Sequence, residues 1–153
     1  MSGLASNGTV ELQVNGNNFS LGFPAESIRA NVSLTNRASV DVAAGGGGSI
    51  AVNARNFDVL GESALLAGIY QGLGSVGSVA GDITLDATGE MKLVGSNVFN
   101  NVQTRAVGKG GNINITSGSL SLTDGAYLEA STYGQGDAGS ERVCASKGFC
   151  FCC

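Results

Sequence analysis

The sequence predicts an all-β fold, a parallel β-helix of about four rungs with three short strands in each. One phrase carries most of that prediction. Gly47-Gly48-Ser49-Ile50-Ala51-Val52-Asn53 recurs as Ala80-Gly81-Asp82-Ile83-Thr84-Leu85-Asp86 and as Gly110-Gly111-Asn112-Ile113-Asn114-Ile115-Thr116. Each copy is a glycine step, a small polar residue and then apolar-polar-apolar, at intervals of about 30 residues, the range that marks solenoids. A fourth glycine step stands at Ala138-Gly139. Composition agrees: 25 glycines beside 1 proline in 153 residues suit short strands and tight turns, not helices. With 42% hydrophobic residues and a net charge of −4, the chain has enough apolar surface to fold, which argues against disorder.

In chain order, residues 1–29 read as an irregular partial rung. Val10, Leu12 and Val14 supply its first half, followed by a looser insertion from Asn15 to Arg29 that holds Phe19, Phe23 and Pro24. Residues 30–139 are the repeat body. Val32–Val42 aligns without gaps on Leu120–Ala130, with Ser33, Leu34, Thr35 and Ala38 recurring as Ser121, Leu122, Thr123 and Ala126. Aligning the later units on Ile50, Ile83 and Ile113 brings further apolar residues into columns. These are Val52, Leu85 and Ile115; Phe57, Met91 and Leu120; Val59, Leu93 and Leu122; and Leu65, Val98 and Leu128. Glycines at 61, 95 and 125 mark a turn between the last two columns. Period-2 alternation sends one set of side chains inward and the other to solvent. Stacked about 4.8 Å apart, four rungs make a rod about 20 Å long. An antiparallel β-sandwich also has many short strands, but does not need the same phrase in every unit.

Residues 140–153 read as a non-repeat tail. After Gly139 the repeat requires another apolar-polar-apolar strand, and Ser140-Glu141-Arg142-Val143 departs from it. All four cysteines, Cys144, Cys150, Cys152 and Cys153, fall here. Three readings compete: a soft-metal site for Zn or Cu(I), disulfides, or the frameshifted or degenerate end of a reading frame, which fits the abrupt change best. No metal, cofactor or catalytic residue is assigned from the sequence.

An enzyme on this architecture needs carboxylates clustered on one outer face. The candidates are Asp82, Asp86 and Glu90, with Lys92 and Arg105 nearby in sequence. Their counterparts in neighbouring units are Ser49, Asn53, Asn112 and Thr116, so no carboxylate ladder builds up and a solvated face is expected. With no histidine, the commonest general base at neutral pH is missing. The acidic balance, with no basic cluster, argues against nucleic acid. No stretch reaches the roughly 18–20 apolar residues of a spanning helix, and Met1–Gly8 lacks the basic and apolar regions of a signal peptide. Asn53, Asn112 and Asn114 are expected to form amide ladders or to bond turn backbone. The sequons at Asn7, Asn18, Asn31 and Asn114 follow from an Asn/Ser/Thr-rich composition. Tyr70 and Tyr133, in glycine-rich links, either cap the apolar columns or contact glycans or proteins, and capping is the expectation.

The stretch Gly110–Ala126, continued by Ala130-Ser131-Thr132-Tyr133-Gly134-Gln135-Gly136-Asp137-Ala138-Gly139, resembles the repeats of filamentous-haemagglutinin-like exoproteins of two-partner secretion, in their cyanobacterial form. Ala43–Asn53 and Ala80–Gly89 share the pattern, and the resemblance covers residues 30–139 approximately. It implies a right-handed parallel β-helix, exported through an outer-membrane β-barrel partner and acting at the cell surface as an adhesin or fibre. Lacking a signal and a secretion motif, the chain reads as an internal or C-terminal piece of a longer protein. The expected function is therefore a non-catalytic structural or adhesive segment. The alternatives are a pectin-lyase-like enzyme fragment or the product of a broken gene.

Overall fold

The computed structural model describes the backbone of residues 11–15, 18–22, 28–145 and 149–152, with side chains over 28–145. Every regular element among them is a strand. Two strands, β1 (Glu11–Asn15) and β2 (Asn18–Gly22), precede the stack. One turn of the solenoid then holds β3 (Val32–Leu34), β4 (Ser39–Asp41) and β5 (Ile50–Ala54). The next holds β6 (Phe57–Leu60), β7 (Ala64–Ile69), β8 (Gly74–Val79) and β9 (Ile83–Ala87). The third holds β10 (Glu90–Val94), β11 (Asn97–Val102), β12 (Val107–Lys109) and β13 (Ile113–Ser117). The chain continues through β14 (Ser119–Thr123), β15 (Tyr127–Glu129), β16 (Glu141–Ala145) and β17 (Phe149–Cys152).

Three parallel sheets form the walls of this parallel β-helix. The first is β3-β6-β10-β14 and the second β4-β7-β11-β15; the third runs β5-β9-β13-β16 and ends on β17. The predicted columns are the observed registers. Ile83 faces Ile50 and Ile113; Leu85 faces Val52 and Ile115. Met91 faces Phe57 and Leu120, and Val98 faces Leu65 and Leu128. The earliest unit joins in the same frame, with Val32 on Phe57 and Val40 on Leu65. Alternation explains the core: in β5 and β9 every second residue, Ile50, Val52, Ala54, Ile83, Leu85 and Ala87, is buried. Each large inward side chain stabilises the stack by roughly 1.5–3 kcal/mol. At the corner between the first two sheets, Gly61, Gly95 and Gly125 have φ of 64°, 56° and 76°, a left-handed turn that glycine adopts without a Cβ clash.

Three features depart from the sequence expectation. Leu12 and Val14 lie in β1, which pairs antiparallel with β2 as a hairpin and not as half a parallel rung; Val10 is outside the described residues. The short separation between β1 and β2 permits direct antiparallel return, whereas a parallel partner would need a long crossover. A fourth, two-stranded sheet, β8-β12, adds a side to the coil and covers a small second core of Ile69, Ala80, Val102 and Ala106. Finally, pairing continues past residue 139. Strand β16 lies in register on β13, with Glu141 on Ile113 and Val143 on Ile115. Val143 packs on the core, while the Glu141 carboxylate accepts the Ala130 N–H at 3.0 Å.

Candidate functional site

The repeated phrase is stacking machinery. A Cβ on Gly81 would collide with the Gly48 carbonyl, one on Gly111 with that of Gly81, and one on Gly139 with that of Gly111. None of these glycines has a left-handed φ, so the need is close backbone approach and not turn conformation. In the second and third copies the polar residue after the glycine bonds the next rung: Asp82 Oδ1 accepts the Asn112 N–H at 2.7 Å, and Asn112 Oδ1 accepts the Ser140 N–H at 3.0 Å. Asn112 thus bonds turn backbone as expected. Asn53 and Asn114 stack on Asp86 and Thr84, not on other amides. One amide that the pattern did not single out, Asn100, sits wholly buried and donates to the Gly81 and Asn112 carbonyls at 3.0 and 3.1 Å. A polar residue on an inward register position was the available signal.

Of the enzyme candidates the structure pairs Glu90 with Lys92, and no cluster of three carboxylates forms among the described residues. Asp86, on the outer face of the third sheet, forms an ion pair with Arg29 at 2.9 Å. Glu90 and Lys92 pair at 2.8 Å on the outer face of the first sheet, and that hydrogen bond, with the carboxylate charge, raises the lysine pKa. Arg105 stands on an exposed turn with φ of 63°. Among the described residues no three His, Cys, Asp or Glu side chains gather as a metal site. Cys144 is disulfide-bonded and opposes Cys150 across the β16–β17 hairpin, where Cys152 opposes Arg142. A disulfide sulfur is no thiolate ligand, so Cys144 in this state does not serve a metal. Cys153 is outside the described residues.

Among the described residues, the outer face of the second sheet is built like a binding surface. Its outward column runs Asp41, Leu66, Phe99, Glu129, in register over four strands. Beside it the Phe99 and Tyr127 rings meet edge to face, with centroids 5.3 Å apart. Just past the sheet, Tyr70, Gln103 and Tyr133 follow one another at successive rungs: Tyr70 N–H bonds the Ala44 carbonyl, Gln103 that of Ile69, and Tyr133 that of Val102. Together these side chains line a groove of about 480 Å³. The two tyrosines do not cap the apolar columns as expected; 49% and 61% exposed, they form one rim of the groove.

Glu129 organises the groove. Its Oε1 accepts from the Tyr133 hydroxyl and from Asn101 Nδ2 at 3.0 Å, while Asn101 Oδ1 accepts the Ser131 N–H at 2.9 Å. The bond to Glu129, with the charge of that carboxylate, raises the Tyr133 pKa above its ordinary value. The sequence held the signal for this site only in part: Phe99, Tyr127 and Glu129 became neighbours of Tyr70 and Tyr133 once the rung register was fixed. Among the described residues no helix is long and apolar enough to cross a membrane. No protein-family model matches this chain, and neither a curated protein nor a solved structure matches it.

Proposed function

We propose that the chain is a non-catalytic structural and adhesive β-helix segment of a secreted or cell-surface exoprotein of the haemagglutinin-like kind, delivered through an outer-membrane β-barrel partner. The observation that carries this reading is the division of labour in the coil. Inward side chains are committed to packing, and the recurring glycine and polar positions hold rung to rung. What is left for contact is an open outer face, which on the second sheet forms a groove of aromatic, amide and carboxylate groups. Shallow faces repeated along a rod suit weak, polyvalent contact better than turnover in one enclosed pocket.

Two further facts support the reading. A disulfide at Cys144 suits an oxidising compartment such as the cell exterior. The two acidic residues lining the groove, Asp41 and Glu129, stand three rungs apart, with their backbones about 14 Å apart at the rung spacing. A glycosidase pair of roughly 5–9.5 Å does not fit that separation.

The test compares beads densely coated with the chain against the free monomer. Coated beads are expected to adhere to bacterial or host cell surfaces, and free monomer only weakly. Failure of coated beads to adhere, or depolymerisation of pectin by the chain, would overturn the proposal.

A further inference from the structure

We infer that the groove on the second sheet binds an uncharged polysaccharide, laid along the solenoid axis with sugar rings against Tyr70 and Tyr133. This rests on reading that face as the contact surface and names what it contacts. Rung spacing gives the first argument. Tyr70 and Tyr133 occupy the same register position two rungs apart, about 10 Å by the rung spacing, with Gln103 between them. That sets two aromatic residues in line along the axis, at a backbone separation comparable to a disaccharide, with an amide between them to bond a hydroxyl. Both rings are substantially exposed, and an aromatic body with a polar tip suits the mixed apolar and hydroxylated surface of a pyranose.

Preorganisation gives the second argument. The Tyr133 hydroxyl is held by Glu129, which is itself held by Asn101. Such a ring loses less freedom on binding than an unanchored one. The remaining lone pairs of Glu129, with Gln103 and Asn101, offer acceptors and donors of the kind sugar hydroxyls use.

Charge decides the class of sugar. Asp41 and Glu129 both line the groove, and among the described residues no lysine or arginine does. Uronate and sulfated chains would meet carboxylates without a compensating cation, in a molecule of net charge −4. Neutral hexose polymers meet no such repulsion.

The experiment is affinity electrophoresis of the whole chain in gels cast with a soluble β-glucan, a galactomannan or polygalacturonate. It is run beside the Tyr70→Ala/Tyr133→Ala double variant, whose fold is checked by circular dichroism and by its urea midpoint. At least one neutral polymer is expected to retard the native chain, and the double variant should bind it at least tenfold more weakly at unchanged midpoint. Polygalacturonate should leave mobility unaltered. No retardation by either neutral polymer, or equal retardation of native and variant chains, overturns the inference. If coated-bead adhesion still depends on the two tyrosines while both neutral polymers fail, the sugar class falls and the contact face stands. If adhesion survives their loss, the face itself is wrong.

Discussion

The Gly81 carbonyl oxygen occupies the space where a side chain on Gly111 would begin. This relationship, repeated between Gly48 and Gly81 and between Gly111 and Gly139, explains why the same phrase returns once per turn. The glycine lets two backbones meet, the next residue bonds the next rung, and the isoleucine fills the core.

Replacing Gly111 by alanine is therefore overpacking, not a change of turn, and is expected to cost about 1–3 kcal/mol. Gly77 is the matched control, because a Cβ there meets nothing within 4 Å and its φ is not left-handed. Gly77→Ala should stay within about 0.5 kcal/mol of the native chain. Urea unfolding of both variants checks the contrast, and equal effects would remove the stacking explanation.

Asn112 links Asp82 below to Ser140 above. Asn112→Ala leaves the Ser140 N–H without that acceptor and should cost about 1 kcal/mol, in line with one lost hydrogen bond. Hydrogen exchange should place the change at Ser140 and β16 and leave β5 unaltered.

The tyrosine–carboxylate bond in the groove gives a pH signature. Its folded pKa being raised, Tyr133 favours the neutral phenol in the native state. Stability from the bond is then fully present below the unfolded tyrosine pKa, about 10, and is lost as pH rises through the folded value. NMR titration of the Tyr133 ring should give a midpoint above 10 that falls in Glu129→Gln. An unchanged midpoint in that variant would show that the carboxylate is not the cause.

Reduction of the disulfide, or Cys144→Ser, is expected to loosen the end of the third sheet. Cys144 lies in β16, whose neighbour β17 runs antiparallel along the edge of that sheet. Amide exchange should accelerate in Glu141–Ala145, while Ile83 and Ile113 stay protected. Cooperative loss of the whole stack on reduction would contradict this local role.

The core was legible in the sequence because the inward columns repeat with the coil: Ile50, Ile83 and Ile113 needed only alignment. The ends were not. Strand β16 was hidden by Glu141, which takes the register position of Ile113 one rung on and accepts the Ala130 N–H there. Leu12 and Val14 alternate as a rung would, and alternation alone does not separate a hairpin from a parallel strand. The groove was legible residue by residue but not as a site. Tyr70 and Tyr133 are 63 positions apart in sequence and meet on one face only through the register of Ile69 with Val102 and Val102 with Thr132.

The stacked register is the central claim, and methyl-to-methyl NOEs in a selectively labelled sample test it most directly. In-register parallel stacking predicts contacts from Ile83 to both Ile50 and Ile113, and from Leu85 to both Val52 and Ile115. If those contacts were absent and β9 instead paired antiparallel with its sequence neighbour β10, the chain would be a sandwich and the account would fail.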